Sequence, residues 1–407
     1  MDTKDFWQLV PDVQTERRLV MNWMNAPKGC TDDWVALYAN HTDSIDNPVF
    51  KINTNCLKSG HKRTSHQILN IDFNANETLI NGCLKWHIIY VRNNTILAQN
   101  CFKTQPFWME NSLHSIGHKR LDEIAIPGAH DSGCYHKYGL NNIPTKSIYL
   151  YAQDESIFDQ LVYGIRYVDI RVGHQEDDYQ SLTIEEPLQI IHGQWMCEHS
   201  VRRILQDIKA FLMAAPKEVV IFDIHKHRNF MNDSTGQVFH DRHQQLMDLI
   251  KEFVGQWIAP ETNKTINEMI ESDKRLVIGY EDKHVLTSDT DRGLVWHPVR
   301  HQWANENSVE GLEQYFRSHL CSAHERQYLR SAMAQMTPTF EEIIFSFRSK
   351  GGLRQRADTV NPLFPKWFYS QWWDCINIVS ADYFLGSNIV DIAIKVNEKK
   401  FASNLIR

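Results

Sequence analysis

Seven residues carry the groups that acid–base chemistry beside a phosphate needs: His130, Asp131, Asp169, Arg171, His192, Asp223 and His225. They fall in four segments, IPGAHDSG (126–133), YVDIR (167–171), IIHG (190–193) and VVIFDIH (219–225). In each, an apolar run passes directly into a polar cluster. Short apolar runs bounded by turn residues read as buried parallel strands. In a (β/α) barrel, catalytic groups stand where such strands end. Two imidazoles, a guanidinium and several carboxylates would then meet at one mouth, supplying a base, an acid and a fixed cation. The chain has 20 histidines, so most are surface or core residues. His130 is singled out by its place between Gly128 and Gly133 and beside Asp131. Gly193 after His192 would let a phosphate approach the backbone closely.

The elements that must position these groups are legible beyond residue 112. The segment HSVRRILQDIKAFLMAA (199–215) has Ser200 as a candidate N-cap and one apolar face through Val201, Ile204, Leu205, Ile208, Phe211 and Leu212. Pro216 ends it, and a strand follows at once. A second helix spans about 239–258, then come strands at 275–280 and 376–382. Repeated strand–helix units over residues 113–407 predict a TIM-like (β/α) barrel, with a doubly wound open sheet as the alternative. No G-x-G-x-x-G follows a strand, so no dinucleotide cofactor is indicated. Residues 1–112 instead hold short β-prone pieces, with a hairpin turn at Arg92–Asn94, and read as a small all-β sandwich. That turn sets Cys101 opposite Trp86 and makes a Cys83–Cys101 bridge depend on a bulge.

Composition bounds the remainder. The 407 residues carry a net charge of -7, which argues against a general nucleic-acid binder. No apolar run is long enough to span a bilayer. The start lacks a basic region followed by an apolar core. The chain as written reads as cytoplasmic, or as secreted with its signal outside this sequence. Eight cysteines and five N-x-[S/T] sites, at Asn40, Asn76, Asn93, Asn232 and Asn263, leave both compartments open. Nothing in the sequence names a protein partner.

The order of the clusters resembles the X domain of phosphatidylinositol-specific phospholipase C, over roughly 115–395. The segment IVSADYF (378–384) matches in kind as well. The likeness is to the small X-domain-only branch of animals and to the bacterial enzymes. DWVALY (33–38) and WHIIYV (86–91) look like the accessory β-domain that precedes some insect X domains. The resemblance implies that a phosphoinositide-type lipid at a membrane surface is cleaved through a cyclic inositol phosphate. His130 would be the general base and His192 the general acid, with Arg171 against the phosphate. Asp131 would support proton delivery to the leaving group, Asp382 would hold the His130 ring, and Asp169 would fix the cluster. Asp169, Asp223 and His225 are expected on the substrate side, with a buried acceptor as the alternative reading of Asp223.

Calcium-using relatives place Asn after the first histidine, an E-x-D at the second motif and Glu on the next strand. Asp131, Asp169-Ile-Arg171 and His225 stand there instead, so no metal is expected. Two other functions stay open: a lipid-binding pseudoenzyme of the same fold, and a glycerophosphodiesterase- or sphingomyelinase D-type barrel. The latter needs a second carboxylate where Arg171 stands.

Overall fold

The computed structural model describes residues 6–11, 17–26, 32–68, 71–136, 148–175, 186–230, 237–260, 263–288, 291, 293–322, 328–344 and 352–402. Seven strands come first: β1 (Phe6–Pro11), β2 (Arg18–Met24), β3 (Trp34–Tyr38), β4 (Phe50–Asn53), β5 (Gly60–Gln67), β6 (Gly82–Arg92) and β7 (Thr95–Thr104). They form two antiparallel sheets, β1-β2-β5 and β4-β3-β6-β7. Leu9, Leu19 and Met21 from one sheet and Val35, Leu37, Ile88 and Tyr90 from the other share one buried core, the inside of a sandwich. Asn93 and Asn94 both have positive φ, which gives β6–β7 the two-residue turn that matches strand twist.

The sequence register of that hairpin is corrected by a bulge. Cys101 faces His87, and the pairing shifts between His87 and Cys83. The shift brings the Cys83 and Cys101 Cα atoms to 5.5 Å, and the pair forms a disulfide. Cys134–Cys197 and Cys321–Cys375 are bonded too, so these cysteines are not free thiols. Cys30 and the sequon at Asn232 lie outside the described residues; Asn40, Asn76, Asn93 and Asn263 are exposed.

The helix α1 (Trp108–Ile116) leads from the sandwich to a curled sheet. Its strands and helices run β8 (Ile126–Ala129), α2 (Ile157–Tyr163), β9 (Tyr167–His174), β10 (Leu188–His192), β11 (Trp195–Ser200), α3 (Val201–Ala214), β12 (Val220–Arg228), α4 (Gln237–Val254), α5 (Ile266–Glu271) and β13 (Leu276–Tyr280). There follow α6 (Lys283–Thr287), β14 (Arg300–Gln302), α7 (Val309–His319), β15 (Arg330–Met333), α8 (Phe340–Ile344), α9 (Gly352–Val360), β16 (Ile378–Ala381) and α10 (Ile389–Phe401). Seven parallel strands pair in the order β13-β12-β9-β8-β16-β15-β14. Between β13 and β14 only an isolated bridge, Gly279 to Trp296, is seen among the described residues. The architecture is the expected TIM-like barrel behind a β-sandwich, open at this one seam.

Three strands depart from the sequence reading. The IIH segment is not a parallel barrel strand: β10 pairs antiparallel with both β9 and β11, as a hairpin standing on the barrel's edge. Gly193, at φ 59, belongs to that hairpin's turn. Asp169, Arg171 and His225 do not end their strands either, because β9 and β12 run on past the rim.

Below the rim, Arg166 is fully buried and ion-paired to Glu218 at 2.7 Å, and its other donors reach the carbonyls of Leu161, Ile165 and Pro106. This pair ties β9 to β12 and to the start of α1, where Glu218 also accepts from the backbone N–H groups of Met109 and Glu110. No helix among the described residues is long and apolar enough to cross a membrane. Glu218→Gln keeps the shape but leaves a buried guanidinium without its counter-charge. The expected cost is about 3–5 kcal/mol, read as a lowered urea midpoint; an unchanged midpoint would refute this role.

Candidate active site

The register of β8 and β16 builds the first half of the site. Ala129 pairs with Ala381, so the next residues, His130 and Asp382, emerge side by side. His130 Nδ1 lies 2.6 Å from Asp382 Oδ1. Gln153, fully buried, donates to the carbonyls of His130 and Ala381 at 2.8 and 2.9 Å and locks the two strand ends together. The chain then turns sharply after each: Asp131 and Tyr383 both sit at φ 44, a region that side-chain-bearing residues seldom adopt. At Asp131 the turn is held by its own N–H donating to Asp169 Oδ2 at 3.0 Å.

Arg171 supplies the centre. Its Nη2 is 2.7 Å from His130 Nε2, and its guanidinium is 3.5 Å from Asp131 and 3.6 Å from Asp169. A guanidinium can only donate, so Nε2 presents its lone pair and the proton sits on Nδ1, facing Asp382. Burial disfavours charging His130, but the Asp382 carboxylate outweighs it, and the imidazole pKa ends above its ordinary value. Asp169 is pulled the other way. Burial would raise it, yet Arg171 and the surrounding histidines hold it well below the usual carboxylate range.

His192 approaches from the β10–β11 hairpin. Its Nδ1 is 2.7 Å from the Leu150 carbonyl and 3.3 Å from Asp131 Oδ2, which assigns the ring's fixed proton to Nδ1. Its ring centroid is 6.4 Å from that of His130. His130, Arg171, His192, His225, His301 and Asp382 line one cavity of about 190 Å³.

Asp223 and His225 occupy the opposite wall with different roles. Asp223 is buried under the cavity, accepting from the Tyr167 hydroxyl at 2.9 Å and from the Val299 N–H at 3.1 Å. Gly279 is required beside it, since a side chain there would collide with the Asp223 carboxylate. The β12 register slips between Ile224 and Lys226, and this bulge falls at His225. His225 stacks on His301 at 3.6 Å between centroids, and burial and that neighbour lower its pKa to about 4. The sequence reading missed Gln153, Tyr167 and His301. His301 lies on a strand of three residues with no apolar run to announce it. Trp195 and Trp303 are exposed near the mouth, whereas Trp372 packs into the core.

A parallel barrel with a His–Asp pair, an arginine and a second histidine at its mouth defines a barrel acid–base site built around a fixed cation. The description "Phosphatidylinositol-specific phospholipase C, X domain" matches residues 135–247. PI-PLC X domain-containing protein 3 of Mus musculus is 24% identical over 318 residues, 71% of this chain and 92% of its own. The 1-phosphatidylinositol phosphodiesterase of Staphylococcus aureus (strain Newman) is 33% identical over 108 residues, 26% of this chain and 31% of its own. Among solved structures, a phosphatidylinositol-specific phospholipase C of S. aureus covers 72% of this chain and 97% of its own, with a TM-score of 0.52 and 17% identity. Residues 135–247 thus match the X-domain family of phosphatidylinositol-specific phospholipase C, and proteins named for that domain resemble most of the chain. Family and fold support a phosphatidylinositol phosphodiesterase-type function at family level.

The His130–Asp382 contact gives a direct test. Asp382→Asn removes the main force raising the imidazole pKa, leaving the weaker pull of Asp169 while burial and Arg171 still oppose charging. The His130 titration, followed by NMR, should therefore lie above the ordinary imidazole value in the parent and move to lower pH in the variant. A titration that stays in place would show that the carboxylate does not set it.

Proposed function

We propose that this protein cleaves a phosphatidylinositol-type lipid by metal-free acid–base catalysis, through a cyclic inositol phosphate. The observation that carries the reading is the clamp on His130, with Asp382 at 2.6 Å on one nitrogen and Arg171 at 2.7 Å on the other. An incoming phosphate draws Arg171 from His130 to its non-bridging oxygens, which frees the base and grips the substrate in one movement. His130 Nε2 then takes the proton of the inositol 2-hydroxyl. That oxygen bonds to phosphorus, the bond to the diacylglycerol oxygen breaks, and His192 Nε2 returns a proton to the departing oxygen. Attack within one molecule carries a large effective concentration. Asp131 orients His192, and Asp169 holds Asp131 and Arg171. His225 and His301 form the wall that faces the inositol ring, backed by the buried Asp223.

Metal independence is supported by the guanidinium itself. Arg171 stands beside the Asp131 and Asp169 carboxylates that a divalent ion would need. The lipid-facing side is supported by apolar residues around the mouth: Trp195, Trp303, Phe340, Ile343 and Ile344 are exposed, and Trp303 and Ile343 also line the cavity. We also assign residues 1–112 to an accessory domain without a catalytic group, since every described residue lining the cavity follows it.

Incubation with radiolabelled phosphatidylinositol in millimolar chelator should yield cyclic inositol phosphate at an undiminished rate. Activity lost in chelator and regained with calcium would overturn the metal-free mechanism. His130→Ala and His192→Ala should each lower turnover by about 10²–10⁴ with the fold intact by circular dichroism. Arg171→Lys keeps the charge without the planar fork, and a large fall in kcat is expected there too. Near-parental rates in any of the three would remove that residue from the mechanism.

A further inference from the structure

A hollow larger than the cavity at the barrel mouth lies elsewhere on the molecule. A groove of about 800 Å³ lies between the β1-β2-β5 sheet and the barrel segments around α9 and the start of α10. Its size suits a ligand larger than one sugar ring. Its charge is opposite to that of the chain. Lys58, Lys62, Arg63 and Lys366 line it against a single carboxylate, Asp358, whereas the whole chain carries -7. Asp358 is itself ion-paired to Arg63 at 3.0 Å and Lys366 lies 3.8 Å from Glu313 outside the lining, so Lys58 and Lys62 carry most of the groove's positive face.

The floor asks for a second kind of group. Asn361 is 1% exposed, and its Nδ2 donates to the carbonyls of Asp382 and Tyr383, but its Oδ1 has no partner. Asn388 heads α10 without capping it, and its Oδ1 is likewise unmet. Buried acceptors without donors are costly and call for a hydroxyl or N–H from outside the protein. Cations above and unmet acceptors below fit a molecule with both phosphates and hydroxyl groups. A nucleic acid fits less well, because Trp23 is only 5% exposed and the His61 imidazole is the one other lining ring, too little to stack successive bases.

We propose that this inter-domain groove binds a phosphorylated polyol, at a site distinct from the catalytic cavity. The proposal concerns binding and does not depend on the catalytic reading. Asn361 links the two places, since it holds the backbone of Asp382, the partner of His130. Such a ligand has two sources, a soluble inositol phosphate or the phosphorylated head group of a membrane lipid.

The test is calorimetric titration of the full chain with inositol hexakisphosphate, in the parent and in Lys58→Glu/Lys62→Glu/Lys366→Glu. All three side chains are exposed, so the variant should fold, and its turnover of a soluble substrate should match the parent's. Saturable binding in the parent, weakened at least about tenfold in the variant, is the expected result. A parallel arm measures co-sedimentation with phosphatidylcholine vesicles, with and without a phosphorylated phosphoinositide. A response to the substitutions in this arm assigns the head group as the source, and a response in the soluble arm alone assigns the free ligand. Equal binding by parent and variant in both arms, or none by either, would overturn the proposal. Because neither arm reads catalysis, an inactive His130→Ala control leaves the outcome interpretable.

Discussion

The mouth of this barrel depends on the pairing of its first and last strands. β8 and β16 are four residues each and meet across most of the chain; His130 and Asp382 are 252 residues apart. Their alignment leaves no freedom of register. A slip of one residue would turn His130 away from Asp382, since successive strand residues face opposite sides. Gly128 lets the strands close, because a side chain there would meet Ser380 and Tyr167 at 2.7 Å. Contacts of such long sequence separation form late and slowly. The His–Asp pair therefore exists only once the whole sheet has closed around it.

Around that pair, charge is arranged so that each buried group has a counterpart. Asp131, Asp169 and Asp382 surround Arg171 and His130, and none of the three is more than slightly exposed. In so dry a setting an unpaired carboxylate would take up a proton. The arginine keeps Asp169 ionised, and Asp169 in turn holds the backbone of the turn at Asp131. The same guanidinium thus sets protonation and geometry together.

Much of this was legible in the sequence because strand-borne chemistry leaves a sharp edge, where an apolar run meets a polar cluster. IPGAHDSG, YVDIR and VVIFDIH all have that edge, and the structure brings their His130, Arg171 and His225 to one cavity, with Asp131, Asp169 and Asp223 buried around it. What was not legible shares a different cause. His301 sits on a very short strand, and Tyr167 opens a strand as one more apolar residue until its hydroxyl is seen against Asp223. IIHG has the composition of a barrel strand, and only its pairing partners reveal an antiparallel hairpin. Trp34 packs in a cluster with Ala36, Tyr38, Ile89 and Val91, apart from the core that the two N-terminal sheets share. Alternation fixes which residues share a face, but not which face is covered. The Cys83–Cys101 bridge likewise rests on a bulge, which no alternation pattern encodes.

The disulfide between Cys134 and Cys197 joins the loop just beyond His130 and Asp131 to β11, the partner strand of the hairpin that carries His192. It closes a span of 63 residues, which in the chain-entropy view restrains the unfolded chain by about 4 kcal/mol. Its position matters beyond stability, for it staples together the two segments that bear the histidines. With the sulfurs reduced, the His192 hairpin would stay on the barrel through its ladder to β9 and the contacts of His192 with Leu150 and Asp131. The separation of the two imidazoles is in this way linked to the oxidation state of the surroundings, and thiol–disulfide balance becomes a control on geometry several residues from either ring.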